Sequence, residues 1–344
     1  MTFAITIRQH GEPIAVEPGE TILEAAIAQG VPYPHGCRSG NCGACKSVLE
    51  AGEVDLAPYS DYALTDEERA QGLILACRAT PWSDAAVSWL ESDEVAVHPL
   101  RHLTCHVIAL EDLTHDIKRV RLEVVSGGPF AFSAGQYAAL GVASLPPRDF
   151  SMANRPGDPV LEFHVRHMSG GAASRYIVRN LGLGETAWVE GPFGSAWLRE
   201  HHTGPILAIA GGSGLAPIKS IVETALRRGA RQPIHLYFGV REERDLYLEA
   251  HFSALGTAHP NLRFTPVLSE PLLPTARRRG FVHEAVAADL RDLDGAKAYI
   301  AGPPVMVEAA TAMLLDAGLG RQDIHADAFY TEADKQALSM GAGA

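Results

Sequence analysis

The sequence predicts a three-part chain: a small module of short strands and helices, an antiparallel β-barrel, and an α/β domain on an open parallel sheet. Three observations carry this. Residues 3–8 and 13–17 are two short apolar-alternating runs around His10-Gly11-Glu12, a hairpin that leads into a capped helix. Between about Arg101 and Leu198, alternating runs such as 105–110 and 117–124 recur at short spacing with Gly and Pro at the turns, the pattern of a barrel. After Gly204 the rhythm becomes strand, glycine turn, helix, strand. Residues 206–210, 218–228 and 235–240 make a βαβ unit, and apolar strands at 262–267 and 298–301 continue the sheet.

In the first module, Thr21 precedes the apolar run 22–28 and Glu24 follows it by three, a capping box for a helix that stops at Gly30. A strand at 46–49, a short helix near 65–70 and strands at 73–77 and 85–90 complete it. The polar stretch 91–98, followed by Pro99, reads as a linker. The expected boundaries are 1–93 for this module, 94–101 for the linker, 102–200 for the barrel, 204–334 for the α/β domain and 335–344 for a loose tail.

With 47% hydrophobic and 20% charged residues in 344, the composition is that of soluble globular domains. Residues 1–10 lack a basic-then-apolar signal pattern, and no apolar run approaches the roughly 20 residues of a membrane span. A cytoplasmic protein without membrane attachment, monomeric by default, is expected. Residues 1–98 hold 5 Lys and Arg against 15 Asp and Glu, while the remainder holds 24 against 26. That acidity argues against nucleic acid. It suits either docking of a partner with a basic face or a merely solvated surface.

Cys37, Cys42 and Cys45 stand as C-x4-C-x2-C, and Cys77 follows after a long gap. This is the plant-type spacing for a [2Fe–2S] cluster held by four thiolates. Two irons need four sulfurs at nearly fixed separations, so three come from one wrapping loop and the fourth from a distant element. Gly36, Gly40 and Gly43 suit that loop, because small residues let backbone N–H groups turn toward sulfur. Five cysteines in a chain without a secretory segment do not suggest disulfides. Structural zinc is the competing metal, but zinc sites pair ligands as C-x2-C repeats and only one such pair is present. The stretch resembles the plant-type ferredoxin domains fused to bacterial oxygenase reductases, which implies a β-grasp fold for the first module.

In the barrel, Arg148-Asp149-Phe150-Ser151 is followed by His164-Val165-Arg166 and then Gly170-Gly171-Ala172-Ala173-Ser174. An arginine can fork onto phosphate oxygens, an aromatic ring can stack on a flavin, and a Gly-Gly pair opening a helix suits a pyrophosphate. The order is similar to that of the ferredoxin–NADP reductase superfamily, whose R-x-Y-S and G-G-x-x-S motifs bind FAD. The resemblance implies that Arg148 holds pyrophosphate, Phe150 stacks and Ser151 faces flavin N5 as the catalytic hydroxyl. It places His164, Val165 and Arg166 along the flavin chain, and Gly171 and Ser174 at the phosphates. Phe150 departs from the family's usual Tyr.

Gly211-Gly212-Ser213-Gly214-Leu215-Ala216-Pro217 lies between an apolar strand and a helix, where a backbone must approach a pyrophosphate. The same superfamily carries this turn and a later element matched by residues 238–246. The resemblance assigns Gly212, Ser213, Gly214 and Arg241 to the nucleotide. Glu242 and Glu243 follow the strand where an adenosine ribose lies; carboxylates there repel a 2′-phosphate and favour NADH, with Arg244 close enough to leave NADPH open. Residues 301–306 resemble the family's C-G-P-P-x-M turn, with Gly302 and Pro303 at the nicotinamide and Ala301 in place of the cysteine. Cys105 sits in a barrel strand and reads as core. Phe329, rather than Tyr330, is expected against the flavin.

The order cluster, FAD, NADH resembles the reductase component of bacterial aromatic-ring-hydroxylating dioxygenases, the naphthalene and terephthalate systems being nearest in character. The resemblance implies hydride transfer from NADH to FAD and single-electron transfer through the [2Fe–2S] cluster to a Rieske-type ferredoxin or a terminal oxygenase. Reductases of diiron monooxygenases or sugar-deoxygenating pathways share these modules. A flavin reductase with a zinc-binding N-terminal module is the alternative from another class.

Overall fold

The computed structural model describes residues 2–36, 38–40, 43–60, 63–90, 98–331 and 334. They form two compact units, the second running from His98 to Phe329. Residues 91–97, which include 94–97 of the expected linker, and the tail 335–344 lie outside the described residues.

The first unit contains β1 (Phe3–Ile7), β2 (Pro13–Val16), α1 (Ile22–Ala28), β3 (Lys46–Ala51), β4 (Val54–Leu56), α2 (Asp66–Ala70), β5 (Leu73–Leu75), β6 (Ala79–Pro81) and β7 (Ala85–Trp89). Its five-stranded sheet runs β2-β1-β7-β3-β5 with β1 and β7 parallel, and β4 pairs with β6 in a separate ribbon. Ile5, Ile7, Ile14 and Val16 alternate inward and share a core with Ile22, Leu23, Ala25 and Ala26 of α1, which makes this a β-grasp. The predicted capping box is present: Thr21 Oγ1 accepts from Glu24 N at 3.3 Å, and the Glu24 carboxylate accepts from Thr21 N at 3.0 Å. A second box at Thr65 and Glu68 opens α2.

In the second unit, β8 (Arg101–Asp112), β9 (Ile117–Ser126), β10 (Tyr137–Val142), β11 (Arg148–Ser151), β12 (Val160–Arg166) and β13 (Thr186–Phe193) form an antiparallel sheet in the order β11-β10-β13-β8-β9-β12. An isolated bridge between Met152 and Phe163 joins its two edges and closes the barrel. Arg101, expected in the linker, already pairs with Gly191 on β13. Cys105 is fully buried in the barrel core, as its strand position predicted. Helix α3 (Ala172–Arg179) follows β12.

The chain then continues through β14 (Ile206–Gly211), α4 (Leu215–Arg227), β15 (Ile234–Val240), α5 (Glu249–Ala258), β16 (Leu262–Leu268), β17 (Arg278–Arg279), α6 (Val282–Asp289), β18 (Lys297–Gly302), α7 (Pro304–Asp316) and β19 (Ile324–Ala328). The sheet is parallel throughout, in the order β17-β16-β15-β14-β18-β19. Strand order reverses on either side of β14, the place where open α/β sheets leave a crevice at their carboxyl ends. Helix α4 starts three residues before the expected 218, because Pro217 occupies its first turn, where no N–H is needed. The same helix ties the sheet to the barrel: Lys219 Nζ donates to Ala153 O at 3.0 Å and Ser220 Oγ to Asn154 O at 2.6 Å.

Candidate functional site

Of the four predicted cluster ligands, Cys37 and Cys42 lie outside the described residues. Cys45 and Cys77 are both buried, and the Cys77 N–H points at Cys45 Sγ from 3.5 Å. Between them the chain is tightly held: Ala76 N donates to Cys45 O at 3.1 Å and Lys46 N to Gly43 O at 3.0 Å. Gly40 has φ +79°, and a Cβ there would stand 2.9 Å from Tyr59 Cβ, so the loop closes only with glycine at this point. A buried thiolate-bearing loop with an amide aimed at sulfur fits a [2Fe–2S] centre.

At the barrel edge, Arg148 is exposed and its guanidinium donates to the carbonyl of Pro147, leaving most of its fork available to a phosphate. Phe150 is half-buried against the barrel core. Ser151 is buried, and its Oγ donates to Asp327 Oδ2 on β19 at 3.3 Å. Phe329, two residues on, donates its N–H to Gly302 O at 2.9 Å. Ser174 Oγ accepts from Met168 N at 3.1 Å and donates to Gly171 O at 3.3 Å, so this hydroxyl braces its own turn. The helix that begins after Gly171 has no side-chain cap, which leaves its first amides for an anion such as a pyrophosphate.

A cleft of about 350 Å³ lies at the carboxyl ends of β14, β15, β16 and β18. The expected Gly212, Arg241 and Pro303 line it. Ser213, Gly214, Glu242 and Gly302 are not in its wall. Gly214 is buried, and a Cβ there would run into the Ala301 carbonyl. Arg166, expected along the flavin, also lines this cleft, with Nε donating to Asp116 Oδ2 at 2.8 Å. A Cβ on Gly212 would stand 3.2 Å from Arg166 Nη1, so the guanidinium lies over the glycine turn. A glycine-lined crevice with Arg166 and Arg241 facing it fits a dinucleotide.

The structure places His164 and Val165 in the barrel interior. Both side chains are buried, Val165 in the barrel core, and the His164 ring is engaged by Glu162 and Tyr247, so only their main chain remains for a flavin. Burial alone would raise the Glu162 carboxyl. The His164 hydrogen bond, the Lys219 ammonium and Arg121 outweigh it and hold this carboxyl well below the usual range. Burial pushes the His164 imidazole below its ordinary value, and Glu162 only partly offsets that. At Asp116 burial is likewise outweighed, by Arg166 and Thr114, and the carboxyl is lowered.

Several cations near the cleft are paired. Arg277 reaches Glu249 at 2.8 Å and Glu243 at 2.7 Å, Arg244 lies 3.2 Å from Glu242, and Arg241 lies 3.4 Å from Asp245. Asp116, Asp245, Tyr247 and Phe281 were not singled out from the sequence. Asp245 stood in a quoted motif without a role, while Phe281 carried no local signal.

Comparison with known proteins gives each region a family. Residues 5–81 match the 2Fe-2S iron-sulfur cluster binding domain, 104–197 the oxidoreductase FAD-binding domain, and 208–312 the oxidoreductase NAD-binding domain. The chain is 40% identical over 316 residues, 91% of its length and 94% of the relative's, to a Ralstonia sp. protein named as the ferredoxin–NAD(P)+ reductase component of naphthalene 1,2-dioxygenase/salicylate 5-hydroxylase systems. It is 38% identical over 97% of its length to the phenol 2-monooxygenase reductase component of Pseudomonas sp. strain CF600, covering 96% of that protein. The crystal structure of the Amycolatopsis cytochrome P450 reductase GcoB superposes with a TM-score of 0.79 at 39% identity, covering 95% of this chain and 99% of that one. The iron-sulfur match favours [2Fe–2S] over zinc in the first unit. The chain is an NAD(P)H-dependent oxidoreductase with FAD, NAD and [2Fe–2S] domains, and it belongs to the family of ferredoxin–NAD(P)+ reductase components.

Proposed function

We propose that this chain oxidises NADH and passes the electrons singly to a Rieske-type ferredoxin or to the terminal oxygenase of an aromatic-ring-hydroxylating dioxygenase system. The observation that carries the reading is the meeting of Ser151 with Asp327 at 3.3 Å, beside the Gly302-Pro303 turn that Phe329 caps. It brings the flavin-motif serine and the nicotinamide-side strand to one place, as hydride transfer requires. When bound, FAD accepts hydride from NADH and the [2Fe–2S] cluster carries single electrons onward.

The residues divide the work. Cys37, Cys42, Cys45 and Cys77 hold the cluster. Arg148 and the amides after Gly171 hold the flavin phosphates, Phe150 offers a ring face, and Ser151 a hydroxyl. Arg166, Gly212, Arg241 and Pro303 receive the dinucleotide. NADH is favoured over NADPH because Arg244 and Arg277 are already neutralised by Glu242, Glu243 and Glu249. The protein acts as a cytoplasmic monomer, and the acidic first unit receives a basic face of the acceptor.

The test is an anaerobic NADH titration followed by visible absorption. Uptake of about three electrons per chain, two at flavin and one at the cluster, supports the relay. Bleaching of the flavin alone refutes it. Reduction of a Rieske ferredoxin should then slow steeply with salt if docking is electrostatic. The likeness to the phenol 2-monooxygenase reductase favours a second reading, in which the acceptor is a monooxygenase; comparing the two acceptors at equal concentration separates them.

A further inference from the structure

Tyr247 lies 4% exposed after β15, and its hydroxyl meets groups from both halves of the second unit. The oxygen is 3.2 Å from the carbonyl of Gly212 in the glycine turn and 3.3 Å from His164 Nδ1 on the barrel strand β12. Its ring stands edge-on to His164 and to Phe238, each with centroids 5.4 Å apart, so packing leaves the hydroxyl one location. His164 donates from Nε2 to Glu162 Oε1 at 3.1 Å. Glu162 is held in turn by Arg121 at 2.9 Å and Lys219 at 3.4 Å. With the imidazole proton on Nε2, Nδ1 is an acceptor, and the single Tyr247 proton serves both Nδ1 and the Gly212 carbonyl.

We propose that Tyr247 is a positioning residue for the nicotinamide dinucleotide: its buried hydroxyl holds the Gly212 carbonyl and so sets the orientation of the peptide that opens α4. The inference rests on the reading of the cleft as the dinucleotide site. The peptide between Gly212 and Ser213 is planar and trans, so a carbonyl turned to Tyr247 directs the Ser213 N–H the opposite way. Gly212 has φ +54°, and the Arg166 guanidinium covers its other side. The turn is therefore braced on two sides by groups that sequence position does not join. Removing the hydroxyl leaves a part-buried carbonyl without this partner and lets the turn relax, at the expense of whatever the turn binds.

The experiment uses the holoenzyme with Tyr247→Phe, which keeps both ring contacts. Equilibrium titration with NAD+ should show affinity falling about fivefold to tenfold, the effect of one hydrogen bond. With ferricyanide as acceptor, KM for NADH should rise in step while kcat stays within about twofold. Flavin and cluster absorption should be unchanged. NAD+ affinity within about twofold of the wild type overturns the inference, whatever happens to thermal stability. If the variant does not accumulate, wild-type amide exchange decides. Saturating NAD+ should protect residues 211–217 and 245–248 together, and protection confined to the first segment overturns the coupling. A control, Val305→Trp, fills the exposed mouth of the cleft. If that variant binds NAD+ normally, the cleft reading itself fails and the inference with it. If it loses NAD+ while Tyr247→Phe does not, only the role of Tyr247 fails.

Discussion

Ser151 and Asp327 lie 176 residues apart in sequence and 3.3 Å apart in space, the serine hydroxyl donating to the carboxylate. One ends barrel strand β11 and the other lies on β19, the last strand of the parallel sheet. The pair lies at the place where the two halves of the second unit meet. Ser151→Ala is expected to leave cofactor content intact and to slow flavin reduction by NADH roughly 10- to 100-fold, the scale of a small misalignment of reacting groups. Anaerobic stopped-flow absorption checks this, and a wild-type rate would remove Ser151 from the chemistry.

The proposed preference for NADH rests on charge pairing near the cleft. The Arg277 guanidinium is held by Glu243 and Glu249, and that of Arg244 by Glu242. Wild-type kcat/KM is expected to favour NADH. Replacing Glu242 and Glu243 together by Gln removes two repelling charges and releases Arg244, while Arg277 stays on Glu249, and should narrow the preference by roughly tenfold. Steady-state kinetics with both nucleotides measure it.

The buried Glu162–His164 pair makes stability depend on pH. Burial depresses His164, and the His164, Lys219 and Arg121 contacts overcome burial to depress Glu162. In both cases the unfolded chain takes up its proton at the higher pH, so stability rises with pH through that window. Acidification should therefore cost stability, first below about pH 6.5 through His164 and then below about pH 4.3 through Glu162. Urea titrations between pH 7 and 5 should show the decline, and His164→Gln should reduce its slope by up to about 1.4 kcal/mol per pH unit. An unchanged slope would place the acid sensitivity in other histidines. His98 and His235 are also lowered by burial.

Cys45→Ser should abolish the long-wavelength cluster absorption while NADH still bleaches the flavin. The anaerobic end point then drops from about three electrons to about two per chain. Loss of flavin reduction as well would mean that the thiolate loop supports the second unit in some further way.

The local features were legible in the residues. The C-x4-C-x2-C spacing, the Thr21–Glu24 box, the hairpin at His10-Gly11-Glu12 and the βαβ unit after Gly204 all depend on backbone geometry within a few residues, which a linear pattern records. A second box, Thr65 with Glu68, carried the same signature and could have been read too. Helix α4 opens at Leu215, three residues before the expected 218, with Pro217 in its first turn, where a missing N–H costs nothing.

Side-chain destinations were a different matter. The chain order alone determined that a thiolate loop, a barrel with an arginine–serine motif and a parallel sheet with a glycine turn follow one another. Only the fold decided that Arg166 lines the cleft at the glycine turn, that the His164 ring meets Glu162 and Tyr247, and that Ser174 braces its own loop. The reason is physical. A strand offers alternate faces, but β12 is covered on both, by the barrel core on one side and by elements of the parallel sheet on the other. Which face meets which partner is set by residues such as Tyr247, 83 positions downstream, that come near only when the sheet closes against the barrel.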